Sequence, residues 1–518
     1  MSKFNKRSAT VATRSAIVSP RTPAGATYQG APGFARDAKG ELFLLAVATM
    51  LGEGTFYEDG ASRDQRYETL IAAVAIEDPQ WMARFVSWLR ADANMRSASL
   101  VAALHATHAM LVAGLPGSRQ LVASALQRAD EPGEALAFWM ARYGRAVPKP
   151  VKRGIADAAR RLYTEFALLR YDTGSKGFRF GDVLDLTHPT PSSPAQGDLF
   201  AWALARRHER EQACPESLVM IRANTKLRAA ASSGAPRKLL DTEALKAAGM
   251  TWEDALSLAG STVDKSKLWT ALIPTMGYMA LLRNLRNFDD VGVSDAVAQD
   301  VARRLADPAQ VAKSRQFPFR FLAAYRATKS LRWGHALERA LHASLANVPV
   351  LAGRTLILVD LSGSMDSAST GRNSDLTRAD AAKVFGAALA LRTDPTLVWF
   401  DTESGQVVVP NGIALLKLVE SFPNRGGGTS TGEAVRRWYA GHDRVVIITD
   451  EQAHYTGDQN VAASVPDRVP VYTWNLGGYR LGHAPSGLGT RHTFGGLTDQ
   501  GFQAIPLLEQ GQSTGWPF

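Results

Sequence analysis

One cysteine, Cys214, stands in 518 residues. No intrachain disulfide can form, which fits a reducing cytosol better than an oxidising compartment. No apolar run approaches the ~18 residues that a membrane-spanning helix needs. Residues 1–40 are basic but lack the apolar stretch of a secretory signal, so the expected location is the cytoplasm. Two catalytic motifs are missing as well. GGGTSTG at 426–432 has no lysine before Thr429 and is not a P-loop. LSGSM at 361–365 lacks the glycine spacing of a nucleophile elbow. No catalytic set is legible, and the chain reads as a binding protein rather than an enzyme.

What is present is globular. Apolar residues make up 45% and charged residues 21%, enough to fill cores and to solvate a surface. At about 150 residues per domain, the length suggests two to four units. The net charge is +10. Residues 1–40 hold seven Lys/Arg against one Asp, and residues 349–518 hold thirteen Lys/Arg against sixteen Asp/Glu. The ends therefore carry +6 and −3, and 41–348 carries the remaining +7. A positive field over the first two-thirds suits a polyanion, nucleic acid above all; the plainer alternative is a solvated basic surface.

Three regions follow from patterning. Residues 1–33, rich in Thr, Ala, Ser, Pro and Arg without apolar period, read as a mobile basic arm. Residues 34–348 read as successive amphipathic helices, for example RYETLIAAVAIE, QWMARFVSWLRAD and GEALAFWMARYG, separated by Gly, Pro, Asp and Asn. Helix pairs of about 40 residues suggest an all-α HEAT-like solenoid, with a plain bundle as the alternative. Residues 349–518 change period. Apolar strands RTLILVDLS, TLVWF, QVVVP, RVVIITD and VPVYTWNL alternate with helices DLTRADAAKVFGAALALR and TGEAVRRWYA, which predicts a Rossmann-like α/β domain.

Within that domain three loops carry oxygen donors. Asp360, Ser362 and Ser364 form D-x-S-x-S after a buried strand, Thr429 follows three glycines, and Asp450 ends another strand. In an open α/β sheet such loops lie together beyond the carboxyl ends of the strands. The donors are carboxylates and hydroxyls without His or Cys, which selects Mg²⁺ foremost, with Mn²⁺ or Ca²⁺ as alternatives. Ser362, Ser364 and Thr429 are expected to ligate directly, and Asp360 and Asp450 mainly through waters and hydroxyls. The set matches the metal-ion-dependent adhesion site of von Willebrand A domains.

The helical region holds a second candidate between Tyr143 and Ser193. Lys149, Lys152 and Arg153 open a helix that continues through Arg160 and Arg161. Arg170, Lys176 and Arg179 follow, then a short helix ending at His188. Cations at a helix N-terminus oppose the macrodipole, so their concentration there points to an external phosphate. A solvated basic face is the alternative, and for His188 a packing role at a helix end.

This stretch, PKPVKRGIAD followed by GFRFGDVLDLTHP, resembles the Ro ribonucleoprotein family, whose helical region is the TROVE module. GEGTFYE at 52–58, LRADANMRSASLVAAL at 89–104 and WTALIPTMGYMALLRNLRNF at 269–288 carry the resemblance further, as does the α/β domain that follows. The resemblance implies a monomeric ring of HEAT-like helices closed by a von Willebrand A domain. It implies binding of small noncoding Y RNA on a basic outer face and of single-stranded ends of misfolded or damaged RNA in a central hole. It also implies cooperation with an exoribonuclease, and a role in RNA quality control or stress response. His188 falls on the family's histidine. Around Tyr171–Lys176 the spacing departs from the family's denser basic cluster, and Arg170, Lys176 and Arg179 stand in for it. A metal-dependent protein-adhesion or chelatase-type module is the alternative function. A metal-assisted nuclease ranks third, because the ligands lack a carboxylate pair or a His suited to activating water.

Overall fold

The computed structural model describes residues 13–48, 51–175, 177–328, 330–366, 376–455 and 461–518. The chain divides into two compact units. One comprises Met1–Val74, Gln316–Ala323 and Glu338–Phe518; the other comprises Ala75–Arg315 and Ala324–Leu337.

The first unit is built on a six-stranded sheet. Its strands are β3 (Arg354–Asp360), β4 (Asp394–Phe400), β5 (Ser404–Val407), β6 (Arg444–Thr449), β7 (Val471–Asn475) and β9 (Arg491–Gly495), in the order β5-β4-β3-β6-β7-β9. All pairs are parallel except β4 with β5, an antiparallel edge. Continuous apolar runs such as Leu356–Val359 and Val445–Ile448 are buried on both faces, as parallel strands covered by helices require. Helix Arg378–Ala390 is buried along its whole length, and helix Thr431–Trp438 covers the core with Ala434 and Val435. The chain order reverses between β3 and β6, and the crevice at such a switch point is where open α/β sheets place ligands.

A second, three-stranded sheet revises the expectation of a mobile arm over 1–33. Strands β1 (Gly25–Ala26) and β2 (Pro32–Ala35) pair antiparallel, and β2 pairs with β8 (Leu481–Gly482). Upstream, Thr13, Ser15, Ile17 and Ser19 are buried at alternate positions, and Ser15 and Ser19 donate backbone bonds to Gly487 and Ser486. The physical reason is a period of two carried by small polar residues, which satisfy their own hydroxyls and so escape an apolar pattern search. Residues 1–12 lie outside the described residues. Helix Ala38–Ala48 is part of this unit too, so the boundary expected at 33/34 is not where the compact units divide.

The second unit is helical. Helices Pro79–Ala91, Arg96–Val112, Glu131–Tyr143, Lys149–Leu162 and Phe180–Thr187 lie close to where periodicity placed them. Their core gathers Leu104, Val122, Leu136, Trp139, Val151, Ile155, Tyr163, Phe180 and Phe200, with Tyr163 stacked on Phe180. Asp78 caps the helix that begins at Pro79 by accepting from the Trp81 amide, a device worth about 1 kcal/mol. The LRADANMRS stretch has a structural task. Its Arg90 and Arg96 both bind the fully buried Glu131 carboxylate, at 2.9 and 2.8 Å, and the Gln127 and Arg128 amides complete its acceptors.

Candidate functional site

Strand β3 ends in Asp360, and the chain turns at once into the short helix Gly363–Asp366, which fixes Ser362 and Ser364 side by side with hydroxyls 3.2 Å apart. Asp360 caps the turn by accepting from the Ser362 amide at 2.9 Å, and its other oxygen accepts from the Thr449 hydroxyl at 2.5 Å. The glycine-rich loop is locked beside this turn. Gly363 donates to the Gly427 carbonyl at 2.8 Å, and a Cβ on Gly363 would stand 2.9 Å from the Gly426 carbonyl oxygen, so only glycine allows the approach. Asp401 anchors the same loop by accepting from the Gly427 amide and from Arg425, whose guanidinium lies over Trp399. Thr429 follows two residues past the Gly427 contact with Gly363, and Asp450 follows β6 with Oδ1 taken by the Gln452 amide.

The structure brings together all five metal candidates, Asp360, Ser362, Ser364, Thr429 and Asp450, each at most 3% exposed. The donor set fits a cation on two counts. The Thr429 hydroxyl and Asp450 Oδ2 are buried without a hydrogen-bond partner among the described residues, a costly condition for polar atoms unless something binds them. Burial and the nearby Asp450 carboxylate also push the Asp360 pKa up, and burial raises that of Asp450. Two carboxylates in one dry crevice want a positive charge between them. Arg378, buried and bound to the Leu476 carbonyl, supplies some of it from the side.

Three contributors near this crevice were not legible in the sequence. Gln29 Oε1 accepts from the Thr429 amide at 3.1 Å and contacts His454 Nδ1 at 2.7 Å, and Gln29 Nε2 donates to the Tyr57 hydroxyl. The Tyr57 hydroxyl lies beside Ser364. Local pattern could not have revealed Gln29 and Tyr57, because they lie over 300 residues before the loops of the crevice, and His454 sits four residues past Asp450 without any metal-ligand spacing.

The basic candidates sort into two groups. Helix Lys149–Leu162 buries Val151, Ile155, Ala158 and Ala159 on one side. At 100° per residue Lys149, Lys152, Arg153 and Arg160 fall within about a third of the opposite circumference, spread over roughly 16 Å of helix. Lys149, Arg153 and Arg160 are exposed and Lys152 half-buried, and the side chains of Lys149, Lys152 and Arg153 form no ion pair among the described residues. The others are engaged. Arg161 caps the C-terminal end of helix Ser118–Ala125 by donating to the Ala123 and Leu126 carbonyls, Arg179 pairs with Asp172 at 2.9 Å, and Arg170 lies over Phe166 and Tyr171. His188 ends helix Phe180–Thr187 in the left-handed region at φ 48° with its side chain exposed, so it is not a packing residue. Lys176 lies outside the described residues.

Arg170, Tyr171 and Arg179 also line a cavity of about 880 Å³, which Trp202, Arg206 and Arg228 complete from later helices. Asp172 lies 3.8 Å from Arg206 and Asp254 2.7 Å from Arg228, so part of this positive charge is neutralised within the protein. Guanidinium planes beside aromatic rings suit an unstacked base and its phosphate.

The chain joins a helical unit with a cationic face to a doubly wound α/β unit with an oxygen-lined crevice. Residues 240–353 match the TROVE domain model. The chain is 28% identical over 245 residues to RNA-binding protein RO60 of Deinococcus radiodurans, covering 43% of this chain and 44% of that protein. It is 42% identical over 83 residues to telomerase protein component 1 of Mus musculus, which is 16% of this chain and 3% of that protein. The matches thus span less than half the length of these curated relatives. The crystal structure of the Deinococcus radiodurans RO (RSR) protein shares the fold, with a TM-score of 0.61 over 92% of this chain and 100% of that one at 17% identity. The chain thus carries a segment similar to the TROVE domain and shares the fold of the Ro protein, an α-helical region followed by an α/β domain.

Proposed function

We propose that this protein is an RNA-binding scaffold that takes small noncoding Y-like RNA and misfolded or damaged RNA, in RNA quality control or a stress response. The observation that carries the reading is the face of helix Lys149–Leu162, where Lys149, Lys152, Arg153 and Arg160 stand outward over a fully apolar opposite side. Cations spaced along about 16 Å match several successive phosphates. The name of the Deinococcus relative, an RNA-binding protein, supports the same class. The exposed His188 and the cavity at Arg179 and Trp202 supply groups able to touch ribose or base.

Such contacts are electrostatic. Replacing Lys149, Lys152 and Arg153 by Ala is expected to lower the slope of log affinity against log salt by about 0.7 to 0.9 per lost phosphate contact. His188→Ala is expected to weaken binding without changing that slope. A salt titration of RNA affinity for the three chains tests this. An unchanged slope in the triple variant makes the helix face a solvated surface and moves the RNA path elsewhere.

The α/β unit, in this reading, holds a divalent cation, Mg²⁺ foremost, between Ser362, Ser364 and Thr429, with Asp360 and Asp450 behind them. The orphaned Thr429 hydroxyl and Asp450 oxygen support that assignment. Hydroxyl ligands add no charge, so the bound ion would retain its attraction for an anionic oxygen and offer a place for a protein carboxylate. An exoribonuclease is one partner of the proposed pathway.

A further inference from the structure

The hydroxyls of the metal crevice are 0%, 3% and 0% exposed at Ser362, Ser364 and Thr429. Among the described residues these side chains are almost closed to solvent, although the crevice lies beyond the carboxyl ends of β3 and β6, where a ligand would enter. Two N-terminal stretches of the same compact unit reach the crevice. Gln29 sits in the turn between β1 and β2, which is fixed to the α/β domain by the Thr27 hydroxyl on the Ala453 carbonyl and the Tyr455 amide on the Gln29 carbonyl. Its side-chain oxygen takes the Thr429 amide and contacts His454, and its amide nitrogen grips the Tyr57 hydroxyl. The Tyr57 ring is stacked on Tyr28, with centroids 4.9 Å apart, and meets Tyr479 edge-on. These contacts tie the Tyr57 hydroxyl through Gln29 to the Thr429 amide and leave it beside Ser364.

Resting on the metal reading above, we propose that Tyr57, aimed by Gln29, belongs to the metal centre as an internal ligand or water-holder, and that a partner's carboxylate enters only by displacing it. The geometry favours a displaceable group over a permanent seal. A phenol is neutral and a weaker donor of charge than a carboxylate, so an anionic oxygen outcompetes it once it gains access. The stretch carrying Tyr57 is anchored by side chains rather than by strand pairing. Glu58 holds Arg63 and Arg66 at 2.6 and 2.8 Å, and Phe56 is 57% exposed.

The test uses the full chain, Mn²⁺ as the ion and acetate as the carboxylate. Water-proton relaxation measures the waters exchanging on bound Mn²⁺, and competition by acetate reads access to the ion. Tyr57→Phe keeps the stacked ring and removes only the hydroxyl, and Gln29→Ala removes its guide. Both are expected to raise relaxation per bound Mn²⁺ and to tighten acetate binding by about fivefold, the equivalent of one hydrogen bond. Tyr28→Phe loses a hydroxyl that faces Glu58 instead and is expected to behave as wild type. Equal relaxation and equal acetate affinity in wild type and Tyr57→Phe overturn the proposal and leave the metal reading standing, as does the same rise in Tyr28→Phe. Absence of Mn²⁺ binding in every chain overturns both.

Discussion

Replacing Arg36 by Met should loosen the α/β unit far more than a lost surface charge would. Arg36 Nη2 reaches both oxygens of Glu451, at 2.7 and 2.8 Å, and the two side chains are 1% and 0% exposed. Nη1 also donates to the Phe34 carbonyl at 3.0 Å. Methionine leaves the Glu451 charge buried with Asn475 as its remaining side-chain donor among the described residues. Breaking one side of a buried pair costs about 3–5 kcal/mol, whereas an exposed pair is worth at most about 1. With two units in one chain, a global melting temperature mixes their responses, so the local readout is amide hydrogen exchange of β6 and β7. At about 1.4 kcal/mol per decade, exchange there should accelerate by about two to three and a half orders of magnitude. Adding Glu451→Gln removes the stranded charge and should recover at least half of the loss. The crevice should feel the change too, because the Glu451 amide donates to the Thr449 hydroxyl that in turn binds Asp360. An acceleration below about tenfold for Arg36→Met would refute the reasoning and return the N-terminal segment to the status of a loose arm.

Ser362→Ala combined with Ser364→Ala should abolish calorimetric Mn²⁺ or Mg²⁺ binding while the circular dichroism and hydrogen exchange of β3 stay as in wild type; retained affinity refutes the ligand assignment. His483 makes the stability of the α/β unit sensitive to acid. It is 1% exposed, neither ring nitrogen has a hydrogen-bond partner among the described residues, and burial pushes its pKa down to about 4. The unfolded chain takes up a proton near pH 6.5 that the folded chain refuses, so this group costs nothing above pH 6.5 and stability falls from there to about pH 4. At pH 5 the penalty is about 2 kcal/mol, and His483→Gln should flatten that part of the pH profile of urea unfolding.

Local pattern made much of this protein readable. Helix and strand periods depend on residues a few positions apart, and they located the helices from Pro79 to Thr187 and the strands β3, β4, β6 and β7 to within a few residues. The five oxygen donors were legible for a related reason. Each sits directly after a strand or a glycine run, and a parallel sheet must bring such ends to one edge. Four cations of the helix Lys149–Leu162 were equally visible, since a single helix fixes their common face.

Tertiary structure decided what depends on the chain's return to itself. Whether a guanidinium is available or already committed is set by partners remote in sequence: Arg161 caps carbonyls 35 and 38 residues away, and Arg36 finds its carboxylate 415 residues on. The small polar residues from Thr13 to Ser19 look disordered by composition, yet their backbone bonds to the loop at Ser486 and Gly487 make them part of the α/β unit. The approach of Gln29 and Tyr57 to the oxygen-lined crevice belongs to the same class. Nothing about Gln29 or Tyr57 in their own neighbourhoods points to Thr429 or Ser364; only folding, which buries their backbone partners and stacks their rings, places them there.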